Sequence, residues 1–182
     1  MEFIPTRIRD VIIIKPVVHG DHRGFFMESW KKKQFTESGI DVEFVQDNHS
    51  LSTQGTLRGL HYQISHPQGQ LVKVVAGKVF DVAVDIRKTS PTFGQWVGEY
   101  LSADNKHMLW MPRGFAHGFY VVSNSAEILY KCTDYYFPEF ERTIAWNDPD
   151  LSIDWPLLKT LPPVLSGKDA EGNFFRDAEV FS

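Results

Sequence analysis

The run Arg58-Gly59-Leu60-His61-Tyr62-Gln63 sets a fixed cation and a titratable ring three positions apart, in a segment with strand-like composition. A guanidinium grips phosphate through paired N–H donors. An imidazole takes or gives a proton near neutral pH. Gly59 between them permits a bulge or a close backbone approach. Two more stretches carry chemistry of the same kind: Gly114-Phe115-Ala116-His117-Gly118-Phe119 and Tyr130-Lys131-Cys132-Thr133-Asp134-Tyr135-Tyr136. Together they suit an enzyme that anchors a phosphorylated small molecule and moves protons on it.

Each residue has a bland alternative. A lone strand histidine is ordinarily a satisfied core ring, but the neighbours of His61 favour function. A strand tyrosine such as Tyr130 ordinarily packs by its ring; a chemical role requires its hydroxyl to face His61 across a cavity. Tyr135 or Tyr136 can offer a stacking face to a base or sugar. Asp169, in Ser166-Gly167-Lys168-Asp169, is either a solvated loop partner of Lys168 or a carboxylate that orients a histidine. Arg23, in Arg23-Gly24-Phe25-Phe26-Met27-Glu28, suits a pyrophosphate. Gln46 and Asn48 share a strand face that can hydrogen-bond a sugar or base, and Lys31 to Lys33 reads as a solvated helix face.

The elements that position these residues follow from pattern. Strands are expected over Val11–Val18, Phe25–Ser29, Val42–Leu51, Thr56–Gln63, Leu71–Ala76, Val79–Arg87, Gln95–Leu101, His107–Met111, Ala116–Val122 and Ala126–Cys132. Between Val79 and Arg87, Phe80, Val82, Val84 and Ile86 share one face while Asp81, Asp85 and Arg87 share the other. Trp30–Ser38 is the one clear helix, with Gly39 as its stop. Gly77-Lys78 and Ser123-Asn124-Ser125 read as tight turns. The Pro-rich tail after Asp148 is expected to wrap the rest through loops and short helical turns. Many short strands at this spacing argue for an antiparallel sandwich or barrel, as one domain over 1–182.

Net charge is −4, so no overall basic field exists to hold nucleic acid. Cys132 is the only cysteine, which precludes an intrachain disulfide and fits a reducing compartment. No apolar run is long enough to span a bilayer, and charges at Glu2, Arg7, Arg9 and Asp10 replace an apolar signal core, so a cytoplasmic protein is expected.

The Pro112-x-Gly114-x-x-His117 pattern resembles the second motif of the cupins, where that histidine often binds metal. The first cupin motif supplies two histidines and a glutamate, but here the region offers only His61, with His66 directly before Pro67. A metal site needs three or four ligands, so the expectation is a cupin-like jelly-roll barrel without metal.

Over nearly its whole length the chain resembles the dTDP-4-dehydrorhamnose 3,5-epimerase family. The likeness rests on Arg23–Phe26, Phe44–Asn48, Leu57–Gln63, Phe80–Asp85, Ser90–Gly94, Phe115–Phe119 and Trp146–Pro149. It implies a cupin-like homodimer with no metal and no organic cofactor, acting on a dTDP-4-keto-6-deoxy sugar. It implies His61 as proton-abstracting base with Asp169 as its partner, and Tyr130 as proton donor on the opposite side of the sugar. Arg23, Glu28, Gln46, Asn48, Arg58, His117, Glu141 and Lys168 are implied substrate contacts, beside Tyr136 as the stacking face read from residue type. At Gln70 many members carry a lysine suited to steadying an enolate; here either Lys73 is shifted into that role by a register change, or Gln70 and other donors suffice. Rival readings are an epimerase acting at one carbon, a ketoisomerase, a non-catalytic nucleotide-sugar binder and a metal-dependent cupin dioxygenase.

Overall fold

The computed structural model describes residues 1–182. Two antiparallel sheets face each other. The first is built in the order β1 (Glu2–Pro5), β2 (Ile12–Lys15), β10 (Met108–Met111), β7 (Gln70–Ala76), β12 (Ser125–Cys132), β5 (Gln46–Thr53). The second runs β13 (Glu141–Thr143), β6 (Leu57–Gln63), β11 (Phe115–Val121), β8 (Lys78–Asp85), β9 (Trp96–Ser102). A separate hairpin pairs β3 (Val18–Asp21) with β4 (Gly24–Met27). This is the expected all-β, cupin-like jelly roll, with only two short helices, α1 (Lys32–Glu37) and α2 (Gly167–Ala170).

Strand alternation divides the apolar side chains among three layers. Val72, Val74, Leu109, Phe119 and Ile128 meet between the sheets. Val82, Val84 and Ile86 point out of the second sheet, where the tail covers them with Leu151 and Trp155. Phe35 of α1 packs with Leu71 and Trp110 on the outside of the first sheet. β8 is therefore buried on both faces, and its inward set is Asp81, Ala83 and Asp85, all 0 % exposed. No helix is long and apolar enough to cross a membrane.

Several expected boundaries move for local reasons. The strand expected over Val11–Val18 breaks into β2 and β3 around Pro16, which has no N–H to give a ladder. β5 begins at Gln46, where pairing with Cys132 starts; upstream, Val42 and Phe44 pack against the α1 layer instead. α1 stops where predicted, at Gly39 with φ +88°, and the Ile40 N–H reaches back to the Phe35 carbonyl at 2.9 Å. β1 and β13, four and three residues long, carry too little periodicity to be foreseen.

Candidate active site

Arg58 and His61 lie three positions apart, an odd offset that in a regular strand would put them on opposite faces. The pairing of β6 with β11 changes register between His117↔His61 and Phe119↔Arg58, so β6 carries one extra residue there. Both side chains consequently line the same cavity between the sheets, about 390 Å³ in volume. Gly59 permits the bulge. Its φ is +125°, and a Cβ there would lie 2.5 Å from Gly118 Cα and 2.7 Å from the His117 carbonyl oxygen.

Behind His61 sits Asp169, 2 % exposed. His61 Nε2 lies 2.7 Å from Asp169 Oδ1. The two atoms are close, but the ring is not aligned for a hydrogen bond, and Nε2 has no other partner in hydrogen-bond geometry. The Gly59 N–H donates to the same oxygen at 3.0 Å, and the Ser166 hydroxyl donates to Oδ2 at 2.5 Å. Burial alone would raise the carboxyl pKa; the contacts with His61, Ser166 and the Gly59 N–H outweigh it and hold Asp169 ionised, well below the usual carboxylate range.

Tyr130 enters from the facing sheet. It lies on β12 between Asn48 of β5 and Val72 of β7, and its ring packs against the inter-sheet core. Burial, reinforced by the neighbouring Cys132 thiol, pushes its phenol pKa up, so it keeps its proton at neutral pH. Imidazole and phenol thus approach one cavity from opposite walls.

The polar residues around them are pre-set by one another. Gln46 Nε2 donates to Asn48 Oδ1 at 3.0 Å, and Arg58 Nε donates to Ser52 Oγ at 3.0 Å. His117 Nε2 faces both oxygens of the fully buried Asp81 at 3.0 Å. At the mouth, Glu141 accepts from Lys168 Nζ at 2.7 Å and from the Tyr136 hydroxyl at 2.9 Å. Burial and this carboxylate push the Tyr136 phenol up to about 12. No three His, Cys, Asp or Glu side chains converge in a metal-binding arrangement anywhere in the chain.

Gln70 lines the cavity with its Oε1 buried and unpartnered. The register change that would bring Lys73 in does not occur. Val72 and Val74 occupy the inward positions of β7, and Lys73 lies with Leu71 on the outer face, where burial lowers its pKa.

Of the residues predicted from sequence, His61, Tyr130, Gln46, Asn48, Arg58, Gln70, His117, Tyr136, Glu141 and Lys168 all line this cavity. Arg23 and Glu28 do not. Arg23, its side chain 78 % exposed, is tied to Asp21 at the tip of the β3–β4 hairpin, and Glu28 pairs with Lys31. Sequence reasoning missed Ser50, whose buried hydroxyl in the cavity has no partner; the alternation Gln46, Asn48, Ser50 was the available signal. It also left Asp81 as a strand carboxylate without a partner, because its pairing with His117 needs the β8–β11 register.

Comparison with known proteins agrees with this geometry. The family model described as dTDP-4-dehydrorhamnose 3,5-epimerase matches residues 5–177. A dTDP-4-dehydrorhamnose 3,5-epimerase of Pseudomonas aeruginosa is 60% identical over 175 residues, covering 96% of each chain. One from Shigella flexneri is 57% identical over 183 residues, covering 100% of this chain and 99% of its own. A dTDP-6-deoxy-D-glucose-3,5-epimerase of Legionella pneumophila, solved with dTDP-4-keto-L-rhamnose, superposes with a TM-score of 0.95 at 55% identity, over 98% of this chain and 94% of that one. A match of this extent, on a fold that brings together the residues the sequence singled out, places the chain in the dTDP-4-dehydrorhamnose 3,5-epimerase family.

Proposed function

We propose that this chain is an isomerase that inverts C3 and C5 of dTDP-4-dehydro-6-deoxy-D-glucose to give dTDP-4-dehydro-L-rhamnose, for rhamnose biosynthesis in the cytoplasm. Residues 1–182 act as one catalytic domain that uses no cofactor. The observation that carries the reading is the pairing of a carboxylate-backed imidazole and a protonated phenol on facing walls of one cavity.

The ketone at C4 acidifies the hydrogens at C3 and C5. Asp169 occupies Nε2 of His61, which leaves Nδ1 to take a proton from the substrate carbon. The C–H electron pair moves into the C3–C4 bond, and the carbonyl π pair moves onto O4 as an enolate. Hydrogen-bond donors in the cavity, the Gln70 amide and Ser50 hydroxyl among them, stabilise that oxygen. Tyr130 then returns a proton to the opposite face, and the ketone re-forms with C3 inverted. Imidazolium and phenolate exchange protons with solvent before the same sequence runs at C5. Base and acid each contribute on the order of 10²–10⁴-fold. Arg58 anchors the diphosphate, and Tyr136 offers its ring to the thymine.

The working unit is a homodimer. The β3–β4 hairpin joins neither large sheet, and Phe25 and Phe26 on it are 61% and 68% exposed. Docking it on a second copy would cover this apolar surface and carry Arg23 and Glu28 to that copy's cavity, where the chain alone does not bring them.

The test is incubation with the 4-keto-6-deoxyglucose nucleotide in heavy water, with and without a reductase trap. Deuterium at both C3 and C5 is expected, and His61→Ala is expected to abolish it while nucleotide binding is kept. Label at one carbon alone would assign a single-site epimerase; full turnover by His61→Ala would remove the base.

A further inference from the structure

Ser166 is the N-cap of α2, and with Asp169 it forms a capping box. Its Oγ accepts from the Asp169 N–H at 3.2 Å, and Asp169 Oδ2 accepts from the Ser166 N–H at 3.3 Å. In an ordinary capping box the carboxylate serves the helix and water. Here it is buried, and its second oxygen is shared between the Gly59 N–H and the His61 ring. The carboxylate that backs the proposed base is therefore also the cap of a four-residue helix.

We infer that Ser166 is a positioning residue for proton abstraction: its hydroxyl, at 2.5 Å from Oδ2, fixes the rotation of the Asp169 carboxylate so that Oδ1 stays against His61 Nε2. The terminal torsion of an aspartate is broad. Gly59 and His61 pin only Oδ1; without the hydroxyl, Oδ2 retains a single long N–H contact. The carboxylate then swings within its pocket, and the imidazole loses the fixed charge that orients it. Because Gly59 belongs to the β6 bulge that turns His61 inward, Ser166 ties the helix cap and the bulge to one group.

The inference rests on His61 being the base, and the experiment separates the two. Glycine is nearly as good an N-cap as serine, so Ser166→Gly deletes the hydroxyl while largely sparing α2; Ser166→Thr keeps a hydroxyl. For Ser166→Gly we expect kcat to fall about tenfold, the effect of losing one hydrogen bond to a charged group. KM should stay within about twofold. Solvent deuterium incorporation at C3 and C5 should slow in proportion, and the isotope effect with C3- and C5-deuterated substrate should rise. Ser166→Thr should recover most of the rate, with all variants melting close to wild type. Unchanged deuterium exchange in Ser166→Gly, a defect confined to KM, or failure of threonine to rescue would reduce Ser166 to a helix cap. Turnover surviving in His61→Ala would instead overturn the base assignment beneath it.

Discussion

Replacing Asp169 with asparagine removes one charge and, at the Oδ2 position, the acceptor of the long 3.3 Å Ser166 N–H contact. The side chain keeps its volume, its carbonyl can still accept the Gly59 N–H, and its amide can donate to Ser166 Oγ. What disappears is the charge 2.7 Å from His61 Nε2, the one that stabilises the imidazolium formed when the base takes its proton. At that distance, with an effective dielectric near 20, two unit charges attract by about 6 kcal/mol. The His61 side chain is 27% exposed, so solvent screens the pair, and about half that value, ~3 kcal/mol, is available to the transition state. That corresponds to a fall in kcat of about two decades. Because Asp169 stands behind His61 and does not line the cavity, KM for the sugar nucleotide should barely move. Single-turnover epimerisation and deuterium uptake at C3 and C5 measure the effect directly. A kcat within about threefold of wild type, or a loss expressed as weaker binding, would refute the charge argument. The same residue has a stability signature. Its folded-state pKa is depressed, so its contribution is present above the unfolded value near 4 and is lost as pH falls below it. The asparagine variant should lose less stability on acidification than wild type.

Tyr130→Phe should leave deuterium exchange at carbon detectable, since His61 still abstracts, while product formation drops by about 10²-fold for want of a donor on the far face; undiminished product would remove Tyr130 from that role. Gly59→Ala forces a Cβ to 2.5 Å from the Gly118 backbone at a φ of +125°, with no flexible side chain to yield. A loss of about 3 kcal/mol, read from denaturant midpoints, is expected, and a neutral result would mean the bulge can relax. Asp85 is 0% exposed, and burial would raise its pKa, but donors from Arg87, Ser90 and Thr92 bring it down to about 2. Its contribution of about 2 kcal/mol is complete above pH ~4 and fades toward pH 2. The stability gap between wild type and Asp85→Asn should therefore be wide at pH 7, fall by about half at pH 3 and narrow by pH 2, and a gap that ignores pH would refute it.

The fold was legible where alternation had a buried face to serve. β8 is the clearest case: its period-two pattern predicts the division between Phe80, Val82 and Val84 on one side and Asp81 and Asp85 on the other, and the structure makes that division. What composition could not say is that both sides are interior. One meets the tail, the other the facing sheet, and each buried carboxylate is made tolerable by a partner: His117 from the neighbouring strand for Asp81, and Arg87, two residues along the chain, for Asp85. β1 and β13 escaped because strands this short owe their existence to a neighbour's free edge rather than to their own residues.

The site was legible by residue type and illegible by direction. Strict alternation through Leu57–Gln63 separates Arg58 from His61, and only the extra residue at the bulge reunites them. Gly59 advertised that irregularity, because glycine inside a strand pattern is costly unless a backbone must approach closely there. Opposite it, no irregularity intervenes on β5. Gln46, Asn48 and Ser50 keep their parity and deliver a polar row to the cavity, of which the sequence reading reached the first two. Arg23 marks the boundary of such reasoning. Its type and its place in a motif argue for a phosphate, yet the hairpin that carries it leads away from the cavity of its own chain. A residue can be placed by sequence pattern only relative to the strand it sits on. When that strand pairs with neither large sheet, its target is set by whatever surface covers Phe25 and Phe26. The proposed dimer therefore makes a further demand on the chemistry: if a second copy provides that cover, dilution below the dimer's dissociation constant should weaken nucleotide binding together with association, because the same hairpin then serves both.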